Sequence, residues 1–401
     1  FNSSIFFSNL HISKSDSGGA GIAAVRLHLA MVRAGIDSKI LLLQSHNKRH
    51  TGVIKFQDSI IRKILRASRL PLNEYVKNAR VLKSKTGTYD SFSFIRSDYR
   101  IHLHSAVKEA DIINLHFVNG FVDYPTFFSA IKKPIFWTLH DKNPFQGGFH
   151  LLSDVENNIG NFRDLEAALR KEKLAIYNSC ENLNIIVLNN KMLKLSGQSE
   201  HFAERPHYLI RNTLDIDTFK KSEKSVARKH LLLPLNKIIL LYVSSYADNY
   251  NKGYHIFRTS VIKLGGAVLI LKVGPVSQEK CEKIIEFGFV RDEYTMAMIY
   301  SAVDGVIISS REENLPNVLL ESLVCGTPVI STPVDGSLDI IKNGFNGLLT
   351  NDFSSESLTD QIEYFSSCHE SFDRDAIRAK ALEIFSPEII VKKYLDAYGR
   401  Q

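Results

Sequence analysis

Hydrophobic and polar positions along the 401-residue chain alternate between short apolar runs and longer amphipathic stretches. Short apolar runs separated by helical periodicity are typical of α/β proteins built on parallel sheets. In the first half of the chain, the runs predict strands at 4–9, 38–43, 111–117, 134–140 and 184–189. In the second half, they predict strands at 237–244, 267–273, 305–309 and from 329 onward. The pattern therefore predicts two or three α/β domains, because one hydrophobic core seldom serves 401 residues.

Two glutamates flank the start of a helix that follows the strand 305–309. Glu313 lies in a polar turn, and Glu321 lies eight positions later on a helical segment at 317–323. If the helix begins near Glu313, both side chains project toward one side. The first turn offers backbone N–H groups and a positive dipole end to a phosphate, at Asn317, Val318 and Leu319. The alternative is that Glu313 is an ordinary helix-start charge and Glu321 a solvated surface glutamate.

A second candidate site lies at the first strand, where the sequence Asp-Ser-Gly-Gly-Ala-Gly leads into a helix that ends near Gly35. Gly18 and Gly19 allow a sharp turn and a close approach of a ligand to the backbone. The glycines lack the spacing of a dinucleotide fingerprint. A simple turn pair is the alternative.

Lys252 precedes a helix that begins near Tyr254, and it follows the strand 237–244. A lysine in that turn can neutralise a diphosphate leaving group. The alternative is an exposed loop lysine.

Two apolar strands, 111–117 and 134–140, carry a histidine at their carboxyl ends, His116 and His140. A side chain at such a position faces the ligand crevice of a parallel sheet. Three roles compete for His140: a ligand of a bound substrate, a general base, or a packed strand-end residue. For His116 we expect the packed role. No cluster of histidines and carboxylates has the spacing of a metal site, so we expect no metal.

Charge is unevenly distributed along the chain, whose net charge is +7. Residues 1–200 contain 27 basic and 17 acidic side chains, whereas the remainder contains 23 and 26. The basic stretch 60–85 predicts an amphipathic helix that can lie on an anionic membrane surface. Nucleic acid would bind the same charge, but no nucleic-acid motif accompanies it. A solvated helix is the alternative.

Cysteine content and hydropathy indicate a reduced, non-spanning protein. The four cysteines are widely spaced without a CxxC pair, which favours a cytoplasmic setting over a disulfide framework. No apolar run approaches the ~20 residues that span a bilayer. The first residue is not Met, so we do not take it as the native start. The opening residues have no signal-peptide pattern and predict a strand.

The stretch SSREENLPNVLLESLVCGTPVIST, at 309–332, resembles the E-x7-E segment of family 4 retaining glycosyltransferases. Glu313 and Glu321 match its two glutamates. Similar family segments occur at Gly-Gly-Ala (18–20), Leu-His-Asp (139–141) and Ile-x-Asn-x-x-Asp (210–215). The second of these resembles a subgroup that modifies surface polysaccharides, from which Lys142, Asn143 and Phe149 depart.

The resemblance implies a GT-B fold, with two Rossmann-like domains whose parallel sheets face each other across a cleft. It implies an acceptor-side domain at 1–216, onto which a helix at 386–401 packs back. The nucleotide-sugar-binding domain would occupy 217–385. The cysteine pattern and the basic stretch predict a cytoplasmic location, with peripheral contact at the inner face of the membrane through 60–85.

The implied reaction moves a hexose-type sugar from a nucleotide diphosphate sugar to an acceptor hydroxyl, with retention and without a metal or other cofactor. The implied acceptor is a glycan or lipid-linked glycan in surface polysaccharide synthesis. Lys252 and the helix start at Asn317, Val318 and Leu319 would stabilise the leaving diphosphate. The remaining implied contacts are Glu321 with the ribose, Glu313 and His140 with the donor sugar, and Gly18 and Gly19 with the donor phosphates and acceptor.

One departure concerns an arginine that the family usually has six residues before Lys252, where this chain has Tyr246. Either Arg311 or Lys272 compensates for it, or phosphate binding is weaker. Two rival functions follow from the same sequence. One is a GT-B sugar-nucleotide epimerase, which needs no acceptor. The other is a non-catalytic transferase-like subunit that binds a partner enzyme or the membrane.

Overall fold

The computed structural model describes residues 7–46, 50–58, 64, 73–244, 250–266, 268–276 and 281–399. Residues 60–63 and 65–72 of the basic stretch 60–85 lie outside the described residues, and so does Tyr246. Close approaches between Cα atoms divide the chain into two units. The first comprises Phe1–Ile210 together with Val391–Gln401, and the second comprises Arg211–Ile390. The sequence predicts the division after residue 216, and it predicts that the chain returns to the first domain at residue 386.

The first unit is built on a seven-stranded sheet in the order β3-β2-β1-β4-β5-β6-β7, with every neighbouring pair parallel. Its strands are β1 (Asn9–Ser15), β2 (Ser38–Gln44), β3 (Val53–Lys55), β4 (Ile112–Leu115), β5 (Ile135–Thr138), β6 (Leu183–Val187) and β7 (His207–Leu209). Its helices are α1 (Gly18–Arg33), α2 (Glu74–Lys83), α3 (Ser105–Glu109), α4 (Tyr124–Ala130), α5 (Leu152–Asn178) and α6 (Asn190–Gly197).

The core of this unit is rich in aromatic side chains. Trp137 of β5 lies at the centre, with its ring 5.5 Å from that of Tyr124 and 5.9 Å from that of Tyr177. All three side chains are buried. All residues of β4 and β5 are buried, and both strands are mostly apolar, as central strands of parallel sheets usually are.

The second unit has a six-stranded sheet in the order β10-β9-β8-β11-β12-β13, again with every pair parallel. Its strands are β8 (Ile238–Val243), β9 (Val268–Val273), β10 (Ile284–Gly288), β11 (Gly305–Ile308), β12 (Val329–Ser331) and β13 (Gly347–Leu349). Its helices are α7 (Lys224–His230), α8 (Tyr254–Lys263), α9 (Glu293–Ala302), α10 (Asn317–Val324), α11 (Asp335–Ile340), α12 (Ser355–Cys368) and α13 (Arg374–Phe385).

The last helix, α14 (Pro387–Tyr398), carries the chain back into the first unit. The hydroxyl of Tyr394 lies 3.1 Å from the Thr138 hydroxyl at the end of β5. The hydroxyl of Tyr398 accepts from Asn114 of β4 at 2.7 Å, and its ring lies 4.8 Å from that of Phe136. Buried tyrosines thus join this helix to the middle of the sheet.

The α/β class with two Rossmann-like parallel sheets is confirmed. The first strand is an exception in position, because β1 begins at Asn9, where the predicted strand 4–9 ends. Polar residues in His-Ile-Ser-Lys-Ser obscure β1, whose interior polar side chains His11 and Ser13 are buried and bonded to other groups. Within the ranges given above, no helix is both long enough and apolar enough to cross a membrane.

Candidate functional site

Lys252 and Glu313 form an ion pair where β8 and β11 end side by side. The lysine Nζ lies 2.7 Å from Oε1 and 2.6 Å from Oε2 of the glutamate, a two-pronged contact. The lysine side chain is 42% exposed and the glutamate 18%, so the pair lines the surface rather than the core. The structure therefore brings together two site residues that the sequence predicts separately.

Gly253 allows this pair to form. Its φ of +65° is left-handed, and a Cβ added there would lie 1.8 Å from the Ser309 carbonyl oxygen. The Ser309 hydroxyl joins the two loops, because its one proton is shared between the carbonyls of Lys252 at 3.1 Å and Gly253 at 3.0 Å. Only glycine fits both the dihedral angle and the close approach.

Glu321 has a different environment from Glu313. The helix begins at Asn317 after Pro316, so Glu313 stands outside it in the turn. Glu321 is buried, and its Oε2 accepts a hydrogen bond of 2.7 Å from the Tyr300 hydroxyl. The condition for a shared face, a helix that begins near Glu313, is thus not met.

The first turn of α10 contains the three predicted phosphate ligands. Asn317 and Val318 are half-buried, and Leu319 is buried with its N–H bonded to the Pro316 carbonyl at 3.1 Å. The Asn317 side chain also accepts from Asn212 at 3.5 Å. First-turn N–H groups have no partner within their own helix, which makes a helix start a usual place for an anion to bind.

Two basic side chains, Lys272 and Arg311, are candidates to replace the family arginine, whose position is occupied by Tyr246 in this chain. Lys272 is buried, and its Nζ lies 3.0 Å from Glu286. Arg311, by contrast, lies beside the Lys252 loop, because its N–H donates to the Asn251 carbonyl at 2.8 Å. Of the two, Arg311 is the positive charge next to the Lys252–Glu313 pair.

An aromatic stack holds the Arg311 guanidinium. The guanidinium carbon lies 4.6 Å from the centre of the Tyr250 ring, which stacks on His255 at 5.0 Å and 5°. An Nη1 atom lies 3.1 Å from His255 Nε2. Partial desolvation and the adjacent Arg311 lower the pKa of His255, which favours the neutral imidazole that can accept from Arg311.

In the first unit, His140 stands at the carboxyl end of β5, beside His116 at the end of β4. Its Nε2 lies 3.1 Å from His116 Nδ1, and His116 Nε2 lies 3.0 Å from His11 Nδ1 on β1. Burial lowers the pKa of His140 to about 4 and that of the other two well below the ordinary value. The sequence indicated His116 only as a packed residue and gave no role to His11. The one sequence feature that could have predicted the contact between His116 and His140 is that both follow the carboxyl end of a strand.

The loop after His140 is fixed by buried charges. Asp141 lies 2.7 Å from His150 Nδ1; although burial opposes its ionisation, His150 and the Asn143 N–H hold its pKa below the usual value. Glu166 of α5 accepts from three successive N–H groups, those of Gly147, Gly148 and Phe149. The loop is therefore a rigid platform beside His140.

Lys173, also on α5, donates to the carbonyls of Asn143 and Gln146 from beneath the same loop. Burial lowers its pKa to about 7. Two of the residues that depart from the family pattern have structural roles here. Asn143 bonds the Gly148 carbonyl at 2.7 Å, and Phe149 packs 4.9 Å from the Phe92 ring.

The glycine turn lies after β1. Gly18 has a φ of +72° with open space around its Cβ position, so the dihedral angle alone requires glycine. Gly18 and Gly19 are the first residues of α1, not a turn before it. The close approach occurs instead at Gly21, where a Cβ would lie 2.3 Å from the Ser15 carbonyl oxygen. That glycine was not singled out from the sequence.

No group of three or more His, Cys, Asp or Glu side chains that could hold a metal ion occurs in the part of the chain that the structure describes.

Comparison with known proteins gives a family match within the second unit. Residues 237–367 match the family described as Glycosyl transferases group 1. Curated relatives include the lipopolysaccharide core biosynthesis glycosyltransferase LpsE of Rhizobium meliloti, 28% identical over 183 residues, which are 43% of this chain and 53% of that protein. Another is the D-inositol 3-phosphate glycosyltransferase of Mycobacterium tuberculosis, 24% identical over 165 residues, or 38% and 34%. The chain thus matches about half or less of the length of these relatives.

Solved structures match the whole chain. Anabaena HepE in complex with UDP and glucose has a TM-score of 0.71 at 18% identity, covering 99% of this chain and all of that one. WaaG, a glycosyltransferase involved in lipopolysaccharide biosynthesis, has a TM-score of 0.62 at 15% identity, covering 93% and 95%. Residues 237–367 are therefore similar to Glycosyl transferases group 1, and the chain shares the GT-B fold of these solved structures.

Proposed function

We propose that this protein is a retaining, metal-independent glycosyltransferase that uses a uridine diphosphate sugar. The observation that carries the proposal is the Lys252–Glu313 pair at the carboxyl edge of the second sheet, inside the matched domain. One structural neighbour, Anabaena HepE, was solved both with UDP and glucose and with UDP-glucose, which supports uridine as the donor base. The LpsE relative supports an acceptor of the surface-glycan class.

The chemistry rests on charge at the leaving group. A departing nucleoside diphosphate develops negative charge, which Lys252, Arg311 and the start of α10 would stabilise. Lys252 is held by Glu313 when no donor is bound. When Lys252 pairs with the diphosphate instead, the Glu313 carboxylate becomes available to accept hydrogen bonds from the sugar hydroxyls. No carboxylate is assigned as a nucleophile, so we propose same-face attack assisted by the leaving phosphate.

Donor binding can be measured as thermal stabilisation by UDP, GDP, ADP and their glucose conjugates, with and without EDTA. A ligand at 100 times its Kd stabilises the folded state by about 2.7 kcal/mol. For a unit of this size, that corresponds to a rise in Tm of roughly 5–10 °C. We expect the rise with UDP and UDP-glucose, unchanged by EDTA. No rise with any nucleotide would contradict the proposal and favour the non-catalytic subunit.

Turnover can be tested with a matched pair of lysines around α8. Lys252 precedes the helix and pairs with Glu313, whereas Lys263 ends the same helix and pairs with exposed Glu356. We expect Lys252→Met to lower UDP release from UDP-glucose at least tenfold, and Lys263→Met to leave it unchanged. Equal rates in the two variants would remove Lys252 from the site. Release of an altered UDP-sugar instead of UDP would indicate the epimerase.

Peripheral contact with an anionic membrane through 60–85 remains a prediction. Within that stretch, the structure describes Ile64 and the residues from 73 onward.

A further inference from the structure

Three imidazoles form a row across three adjacent strands of the first sheet. His11 is on β1, His116 follows β4, and His140 follows β5. The two N···N contacts measure 3.0 and 3.1 Å, and each pair of rings is tilted by 34°. His11 and His116 are buried, and His140 is half-buried at the end of the row.

A proton count restricts the row to two states. Burial keeps the three rings neutral at pH 7, so each carries one N–H donor and one acceptor nitrogen. An N···N hydrogen bond needs one donor and one acceptor. All the bonds must therefore point the same way: either toward His140, which then carries its proton on Nδ1, or away from it, with the proton on Nε2.

The amide of Asn9 decides the direction. Its Nδ2 lies 2.9 Å from His11 Nε2 and 3.0 Å from the Met31 sulfur, so it donates to both. Its Oδ1 accepts from Asn114 Nδ2, which also donates to the Tyr398 hydroxyl at 2.7 Å. Because Asn9 donates to His11 Nε2, the proton of His11 is on Nδ1.

The opposite orientation of the amides is less favourable on two counts. It would place the Asn9 oxygen against the Met31 sulfur, acceptor against acceptor. It would also require Asn114 to reverse, and its amino group would then occupy the place of Oδ1. That atom is buried and has no hydrogen-bond partner among the described residues. A buried amino group without an acceptor is harder to accommodate than a buried carbonyl oxygen without a donor.

We propose that Asn9, His11 and His116 are positioning residues that hold His140 in its Nδ1–H form, so that His140 donates a hydrogen bond to a sugar oxygen. The last step rests on the proposed function. His140 Nε2 accepts from His116, and its Nδ1 has no partner among the described residues. Of the three roles open to His140 in the sequence, the row supports a sugar ligand and excludes a neutral-pH base acting through Nδ1.

The tautomers can be read without any substrate. Long-range ¹H–¹⁵N correlation spectra of ¹⁵N-histidine-labelled protein at pH 7.5 distinguish Nδ1–H from Nε2–H rings. Single-histidine substitutions assign the signals. We expect Nδ1–H for His11, His116 and His140. An Nε2–H form or an imidazolium at His140 would overturn the proposal.

Two variants of His116 test the consequence for donor use. The amide of His116→Gln can accept from His11 and donate to His140, whereas His116→Leu can do neither. We expect His116→Leu to lower kcat/KM for the donor about tenfold and His116→Gln to stay within about threefold of wild type, the scale of one hydrogen bond. His207→Gln, at a half-buried histidine of β7 outside the row, is the control, and Tm values report folding.

The outcomes separate the two proposals. A changed His140 tautomer in His116→Leu with unchanged kcat/KM would overturn the positioning role. If the wild-type protein turns over no donor, the proposed function fails, and the wild-type spectrum alone decides whether the row holds His140 as Nδ1–H.

Discussion

Replacing Gly253 by alanine would introduce both backbone strain and a steric clash at the site, and a second glycine allows the two effects to be separated. Gly253→Ala would place a methyl group 1.8 Å from the Ser309 carbonyl oxygen and push apart the loops that carry Lys252 and Glu313. Gly344 is a matched control, because its φ of +79° is also left-handed but nothing lies within 4 Å of its Cβ position.

We expect Gly344→Ala to cost about 1–2 kcal/mol from the left-handed conformation alone and to leave UDP affinity unchanged. Gly253→Ala should lose more stability and weaken UDP binding at least tenfold. Calorimetric titration and thermal unfolding measure the two effects. Equal behaviour of the two variants would show that the Gly253–Ser309 approach does not shape the site.

The histidine row also makes stability depend on pH. Burial lowers the pKa of His116 well below the usual value, whereas an unfolded histidine titrates near 6.5. Between those values only the unfolded chain takes up the proton, so stability falls as the pH falls below about 6.5. Carboxylates with lowered pKa, such as the half-buried Asp141, lose their contribution only below about pH 4 and do not affect this window.

We therefore expect a loss of about 2 kcal/mol per such histidine between pH 7.5 and pH 5. His116→Gln should lose about that much less over the same interval. Urea unfolding followed by the fluorescence of Trp137 measures it, because this only tryptophan of the chain lies in β5, beside the row. The same pH dependence in both proteins would contradict the expectation.

The sequence predicts single site residues better than their pairings. Lys252 and Glu313 are 61 positions apart, and each was identified from its place after a strand. Their contact depends on β8 and β11 being neighbours in the sheet, an order that apolar periodicity does not encode. The same holds for His11 and His116, which are 105 positions apart. The contact between Tyr300 and Glu321 also joins two separate elements, and it was not predicted from the sequence.

At the scale of elements, α5 holds the loop 141–150 through Glu166. Glu166→Ala would leave three buried N–H groups without an acceptor, at about 1–3 kcal/mol each. We expect a loss of at least about 3 kcal/mol and faster amide exchange at Gly147, Gly148 and Phe149. Glu172→Ala is the control, because its exposed pair with Arg96 lies on the same helix and is worth at most about 1 kcal/mol. Unchanged exchange in the loop of Glu166→Ala would show that other contacts hold it.

The position of a strand in its sheet determines whether the sequence predicts it. The predicted strands correspond to the central ones, whereas β3, β7, β10 and β13 were not predicted. Those four are the edge strands, one at each end of each sheet. β3, β7 and β10 contain no buried residue, and β13 has only three residues, so none of them forms a long buried apolar run.

At the scale of the whole molecule, the first unit is made from two distant parts of the chain. Tyr398 of α14 is buried against Phe136 and Asn114. We expect Tyr398→Ala to destabilise this unit by about 3–5 kcal/mol, as other buried aromatic truncations do. Trp137 fluorescence during urea unfolding measures the loss. Tyr364→Ala, at a tyrosine that is 58% exposed, should change stability by less than about 0.5 kcal/mol. A similar effect of both truncations would mean that α14 contributes little to the first sheet.

The return of the chain through α14 has a consequence for biosynthesis. A ribosome completes β7 and must then translate residues 211–390 before Tyr394 and Tyr398 exist. At ordinary elongation rates this interval lasts roughly 10–35 s. During it, the nascent sheet lacks the tyrosines that cover Thr138 and Asn114, while the second unit can fold as a contiguous segment. The unit that is begun first is thus finished last, and premature termination near residue 390 would damage the part of the protein that was made at the outset.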